Sequence, residues 1–338
     1  MSSGTMKAMV LGAFRPAAES PLEMRDVPVP MVGPEDILLK VRYCGVCHTD
    51  LHAVEGELPE AKLPLIPGHE VIGVVERVGE RAARFRVGDR VGAAWLRSTC
   101  GACRFCRSGR ENLCESARFN GCHADGGYAE FMALPEKFAY GVPDKFSDQE
   151  AAPLMCAGIV GYRALEQSGI RAGGILGLYG FGASAHIAIQ IAKHRGSRVF
   201  VFTRSEEHRR LARTLGADWA GTAKDDPPTK LTNAILFAPV GSLYLDALRV
   251  LDRGGTVASA GIYMSPIPEM DYGRYLYHER KILSVANATR KDGEELLRIA
   301  AEIPVRTTVQ TFPLDTANDV LRLLMAGKVN GAAVLKIN

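Results

Sequence analysis

The chain has 338 residues, with 41 Lys and Arg against 38 Asp and Glu, and a formal net charge of +3. Its basic residues are scattered, whereas nucleic-acid-binding proteins concentrate positive charge on one surface, so we expect no nucleic-acid partner. The sequence contains no apolar run of about 18 residues and no N-terminal secretory pattern, which predicts a cytoplasmic protein with no membrane partner.

Short β-prone runs, punctuated by proline and glycine, open the chain. They are MKAMVLGAF, PLEMRDVPVP and EDILLKVRYCGVC, and VIGVVERVGERAARFRVGDRVGAAW follows after a polar stretch. This pattern favours a β-rich first domain. With 47% hydrophobic residues the chain can bury two packed cores, and its length predicts about two domains.

The stretch from Cys44 to Glu70, CGVCHTDLHAVEGELPEAKLPLIPGHE, concentrates thiol, imidazole and carboxylate side chains. Zinc is bound by thiolate and imidazole groups, and a catalytic zinc has three protein ligands and one open position. Cys47 and His69 are candidate ligands here, with Cys44 as a rival for Cys47. Cys156, in the later run PLMCAGIVGY, is a candidate third ligand. The stretch therefore predicts a catalytic zinc site.

A second group of cysteines follows in CGACRFCRSGRENLC. The spacing Cys-x2-Cys-x2-Cys-x7-Cys lets four thiolates converge on one tetrahedral ion, and such a closed site stabilises a lobe without activating water. An iron–sulfur cluster is the alternative, since it is also bound by four thiolates. In a long chain without a secretion signal, metal binding is a better expectation than disulfides. The residues of this predicted structural zinc site are Cys100, Cys103, Cys106 and Cys114.

From Phe146 the run SDQEAAPLMCAGIVGYRALEQSG predicts helix, with Cys156 near the edge of a second domain. The next run, GGILGLYGFGASAHIAIQIAKHRGSRVFVFTRS, predicts a strand, a glycine turn, a helix and a strand. In a G-x-G-x-x-A turn the first glycine makes the bend and the second admits a pyrophosphate against the helix N-terminus. The turn residues that predict dinucleotide binding are Gly180, Gly182, Ala183 and Ser184.

The end of the second strand of this unit decides which dinucleotide is expected. An acidic residue there bonds the adenosine ribose 2′-hydroxyl of NAD, whereas a nearby arginine accommodates the 2′-phosphate of NADP. This chain has Thr203, Arg204 and Ser205, with no carboxylate before Glu206. We therefore expect NADP rather than NAD; the alternative is that Arg204 stacks on adenine and either cofactor binds.

Strands and helices continue to alternate through AILFAPVG, SLYLDALRVL, GTVASAGI and KILSVANATR, which predicts a doubly wound parallel sheet. The last strands, TVQTFPLD and GAAVLKIN, are expected to return to the first domain. The predicted boundaries are residues 1–155 and 287–338 for the β-rich domain and residues 156–286 for the dinucleotide-binding domain.

The motifs VCHTDLH, PGHEVIGVVERVG and MCAG resemble those of the zinc-dependent medium-chain alcohol dehydrogenases, and the resemblance covers nearly the whole chain. It implies a GroES-like β-rich catalytic domain and a Rossmann domain. In that family two cysteines and one histidine hold the catalytic zinc. The motif match gives these roles to Cys47, His69 and Cys156, because the family's first ligand directly precedes a His-Thr pair. Cys44 is then expected to be a small buried side chain.

The resemblance also implies roles for residues around the metal. Thr49 and His52 would relay the proton of the alcohol, although His52 has the alternative of a surface histidine. The acidic residues beside the ligands, Asp50 and Glu70, would orient the ligands or tune the metal. Trp95 would wall the substrate pocket, or else be an ordinary core aromatic.

Further residues are implicated at the cofactor. His48 and Arg290 are expected to contact its diphosphate, with a solvent-facing arginine as the alternative for Arg290. Val160 departs from the family, because many relatives have a threonine near the nicotinamide. His186, after the glycine turn, is expected to be structural.

The function implied is the interconversion of alcohols with aldehydes or ketones by hydride exchange with NADP, or NAD, at a chain carrying two zinc ions. A homo-oligomer, tetramer or dimer, is expected. One alternative is a polyol or sugar dehydrogenase, although that group often uses a carboxylate as the third zinc ligand. Another is a non-catalytic, zinc-stapled nucleotide-sensing protein, which would leave the ligand set around Cys47 without a purpose.

Overall fold

The computed structural model describes residues 4–58, 60–303 and 305–338. The chain divides into two compact units. The first comprises Met1–Cys156, Thr289–Arg298 and Thr307–Asn338, and the second comprises Ala157–Ala288 and Ile299–Arg306. The predicted β-rich domain also includes residues 1–3, which lie outside the described residues.

Short strands dominate the chain up to Cys156. They are β1 (Thr5–Leu11), β2 (Leu22–Pro28), β3 (Asp36–Val46), β4 (Glu70–Val78), β5 (Arg90–Ala93), β6 (Leu96–Ser98), β7 (Arg118–Phe119), β8 (Phe131–Pro135) and β9 (Ala139–Gly141). The α-helices of this part are α1 (His48–Glu55), α2 (Arg104–Arg107) and α3 (Asp148–Ala151). Single 3₁₀ turns lie at Ala17–Glu19, Glu111–Leu113, Glu136–Phe138 and Ala152–Met155.

Helices and strands alternate from Ala157 onward. The helices are α4 (Ala157–Ser168), α5 (Ala183–His194), α6 (Glu206–Thr214), α7 (Leu243–Val250), α8 (Tyr272–Tyr275), α9 (Arg290–Glu302) and α10 (Ala317–Met325). The strands are β10 (Ile175–Tyr179), β11 (Arg198–Phe202), β12 (Trp219–Gly221), β13 (Leu231–Leu236), β14 (Leu251–Ser259), β15 (Lys281–Ser284), β16 (Val309–Pro313) and β17 (Ala332–Lys336). A further 3₁₀ turn lies at Leu314–Thr316.

The sheet of the second unit has the strand order β12-β11-β10-β13-β14-β15, with every pairing parallel. Its central strands are almost continuously apolar because parallel sheets are covered by helices on both faces. Numbered within the unit, the order is 3-2-1-4-5-6, the arrangement of dinucleotide-binding doubly wound sheets. The predicted Rossmann fold is confirmed.

The main sheet of the first unit has the order β16-β17-β3-β4-β5-β9, and β8 also pairs with β3. The pairings are antiparallel except between β16 and β17. Because β3 lies inside the sheet, its apolar residues Ile37, Leu39 and Val41 are fully buried. The predicted β-rich architecture is confirmed, and the last strands pair where the sequence pattern expects them.

The helical prediction around Cys156 needs one correction. Helix α3 ends at Ala151, a 3₁₀ turn covers Ala152–Met155, and α4 begins only at Ala157. Cys156 itself lies outside helical geometry, with φ −131° and ψ −65°. A proline at Pro153 favours such a break because it lacks an N–H for the helical ladder. Helical structure is therefore interrupted at Cys156, the residue predicted to bind zinc.

Along the described ranges of the chain, no helix is both long enough and apolar enough to span a membrane.

The pairing of β3 with β4 places Gly45 directly opposite Glu70. A Cβ atom on Gly45 would lie 2.0 Å from Glu70 Oε2 and 2.8 Å from Glu70 Cβ. Glu70 is 2% exposed, so its carboxylate occupies space that only a glycine opposite leaves open. This register fixes where Glu70 lies inside the first unit.

We expect Gly45→Ala to destabilise the protein by about 1–3 kcal/mol, because the added methyl group overlaps a buried carboxylate. Thermal unfolding measures the effect. The control is Gly141→Ala, since a Cβ there meets nothing within 4 Å. Replacing Glu70 by glycine as well should remove most of the additional loss, because glycine lacks both the carboxylate and the Cβ that the new methyl group meets. Equal stability of Gly45→Ala and Gly141→Ala would contradict the packing described.

Candidate active site and metal centres

Four side chains from distant parts of the sequence meet in the first unit. The ligand atoms of Cys47, His69, Glu70 and Cys156 all lie within 4.8 Å of one another. Cys47 Sγ is 3.3 Å from His69 Nε2. Ligand atoms around one tetrahedral zinc lie roughly 3.5 Å apart, given its Zn–S and Zn–N bond lengths. The donor set and its spacing therefore fit a zinc ion, and the structure brings the three predicted catalytic ligands together.

Asp50 holds this cluster in place through three contacts of its carboxylate. Its carboxylate accepts hydrogen bonds from the Cys47 backbone N–H at 2.9 Å and the Gly68 backbone N–H at 3.1 Å. The same carboxylate lies 3.0 Å from His69 Nδ1. Because a carboxylate fixes the hydrogen on Nδ1, His69 Nε2 is left as the nitrogen that faces Cys47. Asp50 is 1% exposed, so this arrangement is shielded from water.

The pKa values of the cluster are shifted because its groups are buried close together. A hydrogen bond with Cys156, together with burial, raises the pKa of Cys47 well above its ordinary value. Burial by itself lowers the pKa of His69, but the Asp50 carboxylate and the Cys47 sulfur raise it well above its usual range. Binding of a divalent cation requires these thiols and the imidazole to lose their protons, so a metal at this cluster would displace protons and bind more tightly at higher pH.

The position of Cys44 distinguishes it from Cys47. Cys44 is fully buried among apolar residues of the first unit, and its thiol donates to the backbone carbonyl of Gly45 at 3.5 Å. Cys47, by contrast, caps the N-terminus of α1 and accepts a hydrogen bond from the Thr49 backbone N–H at 3.3 Å. The structure thus places Cys47, and not Cys44, with His69. Glu70 lies within the same ligand group.

Helix α1 carries the predicted proton relay. Thr49 is held beside Cys47 by its backbone N–H. His52 follows one turn later, and its Nδ1 lies 2.5 Å from Glu57 Oε2. Sequence reasoning missed Glu57, although the preceding Gly56 is a typical helix-ending residue and signals that the chain turns back there. His48 is exposed at the start of α1, and its contact with the diphosphate stays a prediction.

Trp95 lies against the cluster. Its ring meets the His69 imidazole edge-on, with centroids 4.9 Å apart, and stacks on Phe119 at 5.0 Å. The indole is only partly buried, so it borders the metal ligands instead of filling an apolar core. Its role as a wall of the substrate pocket stays a prediction.

The second cluster consists of the predicted cysteines alone. The Sγ atoms of Cys100, Cys103, Cys106 and Cys114 lie within 4.8 Å of one another. Cys100 Sγ is 3.9 Å from Cys106 Sγ and 3.5 Å from Cys114 Sγ. Hydrogen bonds from backbone N–H groups lower the pKa of Cys100 to about 6, and the N–H of Ala102 makes the largest contribution. The spacing suits one tetrahedral ion and is too tight for a cluster of several iron atoms.

The glycine turn of the second unit joins β10 to α5. Gly180 has φ +88°, a left-handed conformation that favours glycine. A Cβ on Gly182 would meet nothing within 4 Å, so open space lies at the point where the motif admits a pyrophosphate. Helix α5 begins at Ala183 and Ser184, whose N–H groups are in the first turn and available to an anion. The turn fits a dinucleotide.

His186 lies two residues further along α5. It is fully buried, and its Nδ1 is 3.3 Å from the Gly182 carbonyl oxygen. Burial lowers its pKa to about 4, so the imidazole is neutral at physiological pH. This agrees with a structural role behind the turn.

The residues after β11 surround the predicted ribose end of the cofactor. Thr203 is buried, Arg204 is exposed, and the Ser205 hydroxyl caps α6 by accepting from the His208 N–H at 3.3 Å. Glu206, the first carboxylate after the strand, pairs with Arg209 of the same helix at 2.7 Å. That hydrogen bond lowers the pKa of Glu206.

Arg209 also binds the backbone at this position, donating to the carbonyl oxygens of Thr203 at 2.8 Å and Arg204 at 3.1 Å. The sequence pattern did not single it out. With Glu206 paired along the helix, the exposed residue at the strand end is Arg204.

Arg290, at the start of α9, is held within the first unit. Its Nη2 and Nε donate to Glu111 at 2.6 and 2.9 Å, and its guanidinium lies 4.5 Å from the centre of the Phe138 ring. Glu111 belongs to the cysteine-rich lobe and was also missed by sequence reasoning. Arg290 is therefore paired, although its side chain is 38% exposed. Its contact with the diphosphate and the alternative of a solvent-facing arginine both stay untested predictions.

The comparisons with known proteins agree with this geometry. Family models of the alcohol dehydrogenase GroES-like domain and of zinc-binding dehydrogenases match residues 33–144 and residues 185–302. The chain is 48% identical over 341 residues to the probable alcohol dehydrogenase AdhA of Mycobacterium tuberculosis (strain CDC 1551 / Oshkosh), covering 99% of each chain.

Two solved structures are similar over their whole length. An NAD-dependent alcohol dehydrogenase is 28% identical, with a TM-score of 0.91 over 98% of this chain and 100% of the other. CAD from Helicobacter pylori, complexed with NADP(H), is 26% identical, with a TM-score of 0.89 over 99% and 98%. Sequence motifs, domain matches and ligand geometry lead to one conclusion: the chain belongs to the zinc-binding alcohol dehydrogenases of the medium-chain dehydrogenase/reductase superfamily.

Proposed function

We propose that this protein is a zinc-dependent alcohol dehydrogenase that interconverts small alcohols with aldehydes or ketones and prefers NADP. The observation that carries the proposal is the convergence of Cys47, His69 and Cys156 within ligand distance of one another. Three such ligands leave one position open, the arrangement that catalytic zinc requires. When bound there, zinc supplies a Lewis acid that polarises the alcohol or carbonyl oxygen.

The protein's own groups orient the reactants and move the proton. Asp50 holds His69 in one orientation, and Gly45 keeps the Glu70 carboxylate beside the ligands. Thr49 is the group proposed to take the proton of the alcohol, and His52 is its proposed terminal acceptor. The nicotinamide supplies the hydride chemistry, which needs only orientation and exclusion of water from the protein.

The alternatives are less well supported. A polyol or sugar dehydrogenase with a carboxylate as third ligand would not need Cys156 in the cluster. A non-catalytic nucleotide sensor explains the glycine turn and the cysteine-rich lobe but gives no purpose to the buried ligand set around His69. A homo-oligomer stays part of the proposal.

The preference for NADP is supported by the end of β11. Arg204 is exposed there, and the neighbouring carboxylate of Glu206 is paired with Arg209. A dianionic 2′-phosphate gains from a guanidinium, whereas the NAD ribose gains from a carboxylate acceptor. The related CAD from Helicobacter pylori is complexed with NADP(H), but another relative is NAD-dependent, so the proposal rests on these side chains.

The two metal sites are testable separately by elemental analysis. We expect two zinc ions per chain in the wild type and one in Cys47→Ser, His69→Ala and Cys103→Ser. The first two variants should fold but lose turnover by more than the roughly 100-fold seen when only residues around a metal are changed. Cys103→Ser should mainly lower the thermal unfolding temperature, because its ion stabilises a lobe.

The control for this experiment is Cys122→Ala, a buried cysteine outside both ligand groups. It should keep both ions. Retained turnover in Cys47→Ser and His69→Ala would refute the catalytic site.

Cofactor preference is measured as the ratio of kcat/KM for NADP to that for NAD. We expect Arg204→Ala to reduce this ratio by roughly 10- to 100-fold, because it removes a charged hydrogen bond to the 2′-phosphate. Arg253→Ala is the control. Arg253 is exposed near the amino end of β14, whereas Arg204 follows the carboxyl end of β11. A wild-type preference for NAD would contradict the proposal.

A further inference from the structure

The Glu57 carboxylate lies directly on the His52 imidazole. Glu57 Oε2 is 2.5 Å from His52 Nδ1, a short hydrogen-bond distance. The imidazole is 12% exposed, whereas the carboxylate is 43% exposed. One side of the pair is therefore enclosed in the protein, and the other reaches water.

The local backbone produces this contact. Gly56 ends α1 in the left-handed conformation, with φ +76°, which an L-residue with a side chain adopts only with strain. The next N–H, that of Glu57, donates to the His52 carbonyl oxygen at 3.0 Å. This reversal of the chain brings the Glu57 side chain back to His52, one turn earlier. The pairing therefore follows from the way the helix ends.

The chemistry of the pair fixes the tautomer of the histidine. An ionised carboxylate only accepts hydrogen bonds, so the hydrogen of a neutral imidazole must lie on Nδ1. His52 Nε2 is then the nitrogen that carries the lone pair.

We infer that Glu57 is a positioning residue for His52: it holds the hydrogen on Nδ1 and so keeps the proton-accepting lone pair on Nε2. This inference rests on the proposed role of His52 as terminal proton acceptor. In alcohol oxidation the proton binds at Nε2 and is later released to water. In carbonyl reduction the same proton moves in the opposite direction.

Other ionisable groups near His52 lie on α1 itself or on the elements packed against it. His48 lies one turn before His52 on the same helix, and Glu55 accepts from the Ala17 backbone N–H at 3.0 Å. The elements packed against α1 are the 3₁₀ turn Ala17–Glu19 and helix α10. They contribute Glu19, Asp319 and Arg322, and the last two pair with each other.

The test compares Glu57→Gln with Glu57→Ala. Glutamine keeps an acceptor for Nδ1–H but removes the charge, whereas alanine removes both. We expect a fall in kcat of roughly tenfold for alanine, part of the roughly 100-fold or more that a positioned base contributes. KM should change little, because Glu57 acts through His52. Glu57→Asp, which keeps a carboxylate acceptor, should retain part of the wild-type kcat.

A readout independent of turnover is the tautomer of His52. Two-bond nitrogen–proton NMR correlations of histidine-labelled protein, assigned through His52→Asn, should show hydrogen on Nδ1 in the wild type and in Glu57→Gln. Glu57→Ala should show a mixture or the Nε2–H form. Glu55→Gln is the matched control on the same helix and should leave the tautomer and kcat unchanged.

The outcomes separate this inference from the proposed function. Wild-type protein inactive on every alcohol, with the Nδ1–H tautomer dependent on Glu57, would refute the function and leave the pairing established. An active enzyme whose His52 tautomer and kcat are the same in Glu57→Ala as in the wild type would overturn the inference alone.

Discussion

The structure of the active site depends on one buried carboxylate. Asp50 accepts from the backbone before α1, accepts from the backbone before His69, and fixes the hydrogen on the His69 ring. These bonds join the helix that carries Cys47 to the strand that follows His69. A carboxylate with three hydrogen-bond partners holds the ligands in one geometry, and its charge favours a cation at the ligand cluster. Asp50 therefore links these two backbone segments and also places a negative charge beside the ligands.

The surrounding backbone provides room where the ligands meet. Gly45 lacks the side chain that would displace Glu70, and Gly68, with φ +97°, would place a Cβ 2.4 Å from the Tyr128 ring. Cys156 lies at a break between a 3₁₀ turn and α4. Each feature is a local departure from regular structure, and such departures are common where side chains must converge on a functional site.

Much of this arrangement could be predicted from sequence. Apolar runs alternating with helices indicated the parallel sheet around β10, and the resemblance supplied the ligands Cys47, His69 and Cys156. Spacing alone was sufficient for the four-cysteine group, because its ligands are close along the chain. Distant ligands give no such signal, and without the resemblance Cys44 and Cys47 were equivalent.

The remaining features depend on contacts that periodicity does not encode. Glu57 reaches His52 only because Gly56 reverses the chain, and Glu111 meets Arg290 across 179 positions of sequence. The break at Cys156 was missed because its neighbours have helical composition. In each case tertiary packing, and not local propensity, decides the outcome.

The central claim is that one ion is shared by two sulfurs and one nitrogen in the first unit. Anomalous diffraction at the zinc absorption edge, from crystals of the purified protein, tests it most directly. The account predicts a peak about 2.0–2.4 Å from Cys47 Sγ, Cys156 Sγ and His69 Nε2. A crystal with zinc at the cysteine-rich lobe but none at these three atoms, or with an ion bound through Cys44 in place of Cys47, would contradict it.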